Sequence, residues 1–311
     1  MNNIVYICDT FNQIKNMASL SEDLQNSKTT LREFADLTSR LLNYFPEVIT
    51  STVHKSGYTI SSSNSAGTIK YIRPINNTLF IKDSTSFNKK YAFFELIILK
   101  IKQDDVVTTA DENLIDSMLY TIQQSIGAGL DLLVNPNSAR KHVGNRFEEL
   151  MRALFTAIGI SNKKMVLQIP YTIGNKTQLY QCENDMVLSP YPEVRSQGSF
   201  IDPNEIVVSI KTTSKDRMGK MFLDKILLER FLKHPQKMIG VFLNDVQRKG
   251  EDNVSYTLVS GLFMVYSQFL TEMNGVYYLD LPSTAKKASF APYMKPFSQL
   301  ITRDIHTLLT P

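Results

Sequence analysis

The chain has 311 residues, 43% apolar and 21% charged, with 34 Lys and Arg against 30 Asp and Glu and a formal net charge of +4. This composition excludes wholesale disorder and leaves room for one to three domains. The mild positive charge accommodates a polyanionic partner without demonstrating one, and two distant cysteines, Cys8 and Cys182, exclude a disulfide framework or a zinc cluster.

In chain order, residues 10–45 read as two helical segments. The second, "TTLREFADLTSRLLNYF", places Leu31, Phe34, Leu37, Leu41, Leu42 and Phe45 at helical spacing. Residues 50–67 are rich in Ser and Thr and predict a loop or an exposed hairpin. "TIKYIRPI" and "TLFIKD" predict short strands, "YAFFELIILKIK" a buried strand or a helix, and "DENLIDSMLYTIQQSI" a helix. A boundary is expected at "NPNSARK", with Pro136 as breaker and Ser138 as helix N-cap. It divides an N-terminal region, 1–135, from a core, 136–311.

The helix after that boundary carries one apolar stripe: Val143, Phe147, Leu150, Met151, Leu154, Phe155 and Ile158. Strand-like runs follow at "MVLQIPY", "LYQCENDMVL", "EIVVSIKT", "KMIGVFLND", "VSYTLVSG" and "GVYYLDLP". A helix beginning near Asp216 interrupts them, and an amphipathic helix with Phe297, Leu300, Ile301, Ile305, Leu308 and Leu309 closes the chain. The pattern is α/β, a central mixed sheet flanked by helices, preceded by a mainly helical N-terminal region. The start lacks the features of a signal peptide, and "TLVSGLFMVYSQFL" is too short and too polar to span a bilayer. A soluble protein of a reducing cytoplasm is expected.

Three residues stand where a fold would not ask for them. Asp185 interrupts the apolar run "LYQCENDMVL"; alone, it reads equally as a turn aspartate. Lys211 follows Val207 and Ser209 on one strand face, where a lysine can also snorkel to solvent. Glu148 lies roughly 100° round the helix from Phe147, at the edge of the buried face, whereas Glu149 is expected on the solvent side. Together they suggest phosphodiester hydrolysis. That chemistry needs carboxylates converging on a hard divalent ion, Mg²⁺, and a lysine near the attacking water.

The four histidines, His54, His142, His234 and His306, form no HExxH or other paired ligand spacing. "SIGAGLDLL" has neither the preceding strand nor the following Lys-Ser/Thr of a phosphate loop.

Glu on a helix, Asp on a strand and x-Lys on the next strand is the order of the PD-(D/E)XK nucleases. The usual Glu/Asp-x-Lys is here Ser209-Ile210-Lys211, so one acid must come from elsewhere. Asp224, roughly two turns into the next helix, is available, and Glu229 is a weaker alternative. The chain thus resembles type II restriction endonucleases of that superfamily, in the branch that reads CCGG and CCNGG sites (relatives of the EcoRII catalytic domain). "GNRFE", Gly144 to Glu148, resembles the branch's Gly-x-x-Phe-Glu helix. "SIKTTSKDR" followed by Asp224 resembles its Ser-x-Lys-Thr-Thr-x-basic-acid-Arg motif with relocated acid. The match covers residues 138–232 and says little about 1–135. Two positions depart from the branch: Asp224 stands for its usual Glu and Lys215 for its usual Arg.

The resemblance implies Mg²⁺ held by Asp185, Asp224 and Glu148, with Lys211 at the scissile phosphate and Ser209, Thr212 and Thr213 in support. It implies base reading by Lys215, Asp216 and Arg217, since Lys and Arg pair with guanine and Asp with cytosine N4 in the major groove. In the branch, a contiguous triad goes with CCNGG-type sites. The implied partners are double-stranded DNA, a second copy of the chain (pairing of dimers into tetramers stays open) and a separate DNA methyltransferase, in a prokaryotic cytoplasm. Residues 1–135 are expected to supply dimer contacts or clamps on the DNA backbone. Competing readings are a structure-specific repair or recombination nuclease of the same fold and a catalytically inactive DNA-binding module.

Overall fold

The computed structural model describes residues 19–65, 67–215 and 217–310. Cys8, Asp216 and the start of the first expected helical segment lie outside these residues; residues 19–25 are helical. The described residues form two units. The first draws on Met1–Ala92, Met118–Leu150 and Gln247–Ser255, the second on Phe93–Ser117, Met151–Val246 and Tyr256–Pro311. Each takes three separate segments, so the units do not coincide with 1–135 and 136–311.

In the first unit, helix α1 (Leu31–Val48) starts at a capping box. The Thr30 hydroxyl accepts the Glu33 N–H, and the Glu33 carboxylate accepts in return. The main-chain N–H groups of Thr29 and Thr30 and both hydroxyls hold Glu33 down at about 2. Within residues 50–67 lies the hairpin β1 (Ser51–Lys55) and β2 (Tyr58–Ser65), turning through Ser56 and Gly57, both at positive φ. β3 (Thr68–Tyr71) and β4 (Ile75–Asn76) complete a four-stranded antiparallel sheet.

"TLFIKD" is not a strand. The Asn76 side chain accepts from Thr78 N–H and hydroxyl, and Thr121 accepts the Ile81 N–H, so side chains take the donors a ladder would use. "YAFFELIILKIK" is helical, within α2 (Ser84–Lys102). It is followed by α3 (Thr109–Leu133) and α4 (Pro136–Ala157). Pro136 begins α4 rather than breaking before it. The cap is the Asn135 side chain, which accepts the Ser138 N–H at 3.0 Å, so Ser138 is not the N-cap.

The α4 stripe is buried throughout, but its other side is not free either. Glu149 accepts from the Ser27 hydroxyl and the Lys28 N–H, both at 2.9 Å, and from Arg146 at 2.8 Å. Arg146 also donates to the carbonyl of Asn26. The expected solvent-side glutamate thus stitches residues 26–28 to α4.

The second unit is built on a six-stranded sheet in the order β12-β11-β8-β7-β6-β5. Its strands are β5 (Ser161–Ile173), β6 (Lys176–Ser189), β7 (Ile206–Thr213), β8 (Met238–Asn244), β11 (Val276–Tyr278) and β12 (Met294–Pro296). β7, β8, β11 and β12 run parallel, and β5 and β6 antiparallel, giving the expected mixed sheet. β8 is buried along its whole length and β7 until Ile210, as continuous apolar runs in a covered parallel sheet should be.

α5 (Arg217–Leu232) connects β7 to β8. Its Met218, Met221, Phe222 and Leu228 share one core with Cys182, Val187, Val207, Phe242 and Tyr278. "VSYTLVSG" is only partly a strand. β10 (Asn253–Tyr256), which pairs with β9 (Val246–Lys249), gives way to helix α6 (Ser260–Phe269). The last apolar stripe runs helically from Phe297 to Leu309 with a π segment at Leu300–Asp304. No helix among the described residues is long and apolar enough to cross a membrane.

Candidate active site

The site grows out of a failure of strand pairing. β6 and β7 pair at Leu188↔Ile206, Val187↔Val207 and Met186↔Val208, and the ladder stops there. The next residue of β6 is Asp185, whose Oδ2 accepts the Ile210 N–H at 2.7 Å. A side chain thereby satisfies a main-chain donor left over where the strands part.

On its other edge, β6 pairs with β5 as Met165↔Asn184 and then Lys163↔Val187, so Asp185 and Met186 together oppose Lys164 alone. This is a bulge, and a bulge re-aims side chains. On either side of it, Cys182 and Val187 both reach the core under α5 although their parity differs. Val207 reaches that core too, so alternation carries Ser209 and Lys211 onto the same face. The bulge is what lets an aspartate from β6 meet a lysine from β7.

They do meet: Lys211 Nζ donates to Asp185 Oδ2. Both side chains are accessible, 26% for Lys211 and 14% for Asp185, and Arg152 donates to the Asp185 carbonyl at 3.4 Å. Beyond Ile210, Lys211, Thr212 and Thr213 are half-buried at the carboxyl end of a parallel strand, where open α/β sheets place ligands. Ser209 is buried.

Asp224 stands on α5. Both its oxygens accept from Lys220, at 2.8 and 2.7 Å, and it is half-buried. This pair overlies β6 near Cys182: burial first, and then the Asp224 charge, push the Cys182 thiol up. Burial opposes the charge on Lys220, but its hydrogen bond and attraction to Asp224 outweigh that and raise it. Glu229, one turn and a half along, accepts the Gln236 N–H at 3.2 Å and lies 3.7 Å from Lys225, so it serves the loop before β8. Glu148 is half-buried on the part of α4 that belongs to the first unit.

Lys215 and Arg217 are exposed at the start of α5. Ser214 precedes them. Its carbonyl accepts the Met218 N–H at 2.8 Å, but its hydroxyl turns inward to the buried Asp245 instead of capping the helix. Sequence reasoning missed Asp245, although it ends "KMIGVFLND" much as Asp185 interrupts "LYQCENDMVL".

The donor set fits a hard cation by type. Asp185 and Asp224 are carboxylates served by the same sheet face, and Mg²⁺ takes one or two carboxylates and keeps waters. Among the described residues no group of three or more His, Cys, Asp or Glu stands together as a metal cage.

No protein-family model and no curated protein matches the sequence. Among solved structures, the type IIP restriction endonuclease Kpn2I is similar in fold, with a TM-score of 0.68 at 16% identity over 95% of this chain and 96% of that one. The restriction endonuclease PspGI, in complex with substrate DNA, aligns at a TM-score of 0.40 and 14% identity over 72% of this chain and 92% of that one. The likeness to Kpn2I shows that the chain has the fold of a restriction endonuclease.

Proposed function

We propose that the chain is a Mg²⁺-dependent, site-specific endodeoxyribonuclease of the type II restriction kind. It acts as a homodimer on a palindrome with a CC/GG core, of the CCNGG type in preference to CCGG. The observation that carries the reading is the Asp185–Lys211 pair at the point where β6 and β7 part. Both side chains of the pair are accessible at that strand end, which gives a phosphate access to Lys211.

When bound, Mg²⁺ would supply Lewis-acid polarisation of the phosphate and a more acidic water. Asp185 and Asp224 would hold it, with Glu148 in support. Lys211 would face the scissile phosphate and orient the attacking water. Ser209, Thr212 and Thr213 would shape the strand end around it. Lys215 and Arg217 would read guanine and Asp216 cytosine, and the two-fold partner would repeat the set on the other half-site. A methyltransferase encoded separately would protect the host's own sites, and the protein would work in the cytoplasm.

The test is a plasmid digest with and without Mg²⁺, with the cut ends sequenced. Cleavage confined to CCNGG sites and dependent on the metal is expected. Metal-dependent cutting with no shared sequence at the ends would favour a structure-specific nuclease instead.

A further inference from the structure

Beneath the turn that carries Lys215 and Arg217 lies a buried polar knot with no part in the chemistry described above. Asp245, directly after β8, is 3% exposed. Its Oδ1 accepts from the Ser214 hydroxyl and, at 2.6 Å, from the Thr257 hydroxyl; those two hydroxyls are 3.0 Å apart. The Thr257 N–H donates to the Asp245 carbonyl at 2.9 Å. Burial pushes the Asp245 carboxyl up, and the hydrogen bonds from Ser214, Thr257 and Leu258 work the other way. Burying a carboxylate is costly unless every donor is well placed, so the knot invites a reason.

Its location supplies one. Thr213 is fixed in the ladder to Asn244, and the Met218 N–H is fixed to the Ser214 carbonyl. Ser214 is fully buried between them. Three independent restraints, from ladder, helix and carboxylate, thus meet at the residue before Lys215. A base reader needs its backbone held this firmly, because a bidentate contact tolerates only small displacements.

We propose that Asp245 is a positioning residue for base readout: by holding Ser214 and Thr257 it fixes the start of the turn from which Lys215 and Arg217 reach the base edges. The inference rests on the base-reading role given to that turn above. It is tested by binding in Ca²⁺, without cleavage, to a duplex bearing a CCNGG core and to the same duplex with one C·G pair changed to T·A. Ser214→Ala and Asp245→Ala should each reduce the ratio of the two affinities about tenfold. Affinity for an unrelated duplex and its salt dependence should stay as in the wild type. Ser214→Thr, which keeps the hydroxyl, should restore the ratio. Arg217→Ala separates the two ways of failing. A ratio that Arg217→Ala moves but Ser214→Ala and Asp245→Ala do not, even with a lowered melting temperature, overturns the positioning role alone. A ratio unmoved by Arg217→Ala removes the base-reading assignment, and the inference falls with it.

Discussion

The Asp185 carboxylate accepts the main-chain N–H of Ile210 at 2.7 Å, and the same oxygen accepts from Lys211. One oxygen therefore closes the end of a strand and holds the catalytic candidate lysine. The two jobs can be separated. Lys211→Ala leaves the Ile210 bond intact, so it should fold normally and bind its site while losing cleavage. Asp185→Asn keeps an acceptor for Ile210 and should also fold but not cut. Asp185→Ala loses the acceptor and should cost about 1–2 kcal/mol of stability besides. Denaturant unfolding beside a Mg²⁺ digest reads both effects, and full cleavage by Lys211→Ala would sink the site assignment.

How far the sequence carries the reader depends on the scale of the signal. The α4 stripe from Val143 to Ile158 was legible because burial on one face imposes a helical period, and β7 and β8 because burial on both faces leaves continuous apolar runs. "TLFIKD" misled because the donors that decide against a strand are met by Asn76 and by Thr121, one of them far away in sequence. Asp185 and Lys211 could be singled out by charge in apolar runs, yet the bulge that turns Asp185 toward Lys211 has no local signature in "CENDMVL". Asp245 was invisible as a functional candidate because its meaning comes from Ser214 and Thr257, brought to it only by the sheet.

Glu149 is the sharpest reversal. Helical geometry alone put it on the wet side, where Glu149→Ala would serve as a silent control. Its carboxylate instead takes three donors, from Ser27, Lys28 and Arg146. Removing it leaves the Lys28 N–H and the buried Arg146 guanidinium without that acceptor. Glu149→Ala should destabilise the protein by about 2 kcal/mol, and thermal unfolding should show it. An unchanged melting temperature would mean that residues 26–28 are not held by α4.

The pair of Asp224 with Lys220 makes a prediction in two directions. An i, i+4 ion pair on a helix surface is worth only about 0.2–0.5 kcal/mol, so Lys220→Ala should barely alter stability. It frees both Asp224 oxygens, so the apo protein should need severalfold less Mn²⁺ for half-saturation. Asp224→Ala should lose metal binding and cutting together. If Asp224→Ala cuts normally and Glu229→Ala does not, the acid comes from Glu229, and its bond to the Gln236 N–H must break on binding.

Stability should also depend on pH through a carboxyl that lies away from the chemistry. Asp116 on α3 is buried, and its two oxygens accept from the N–H and hydroxyl of Ser298, at 2.8 and 2.7 Å. Burial, helped by the nearby Glu112 charge and opposed by the Ser298 bonds, raises it to about 7. The folded protein therefore binds this proton more tightly than the unfolded chain, whose aspartate titrates near 4. Stability from the protonated form is complete below about pH 4 and is lost as pH rises through about 7. Asn matches the protonated acid in shape and keeps one acceptor and a donor for Ser298. Asp116→Asn should thus leave the melting temperature below about pH 4 nearly unchanged and raise it increasingly from pH 5 to pH 8, flattening the profile between them. A wild-type profile already flat over pH 5–8, or one left unflattened by Asp116→Asn, would show that Asp116 is charged in the folded protein and that Ser298 alone offsets its burial.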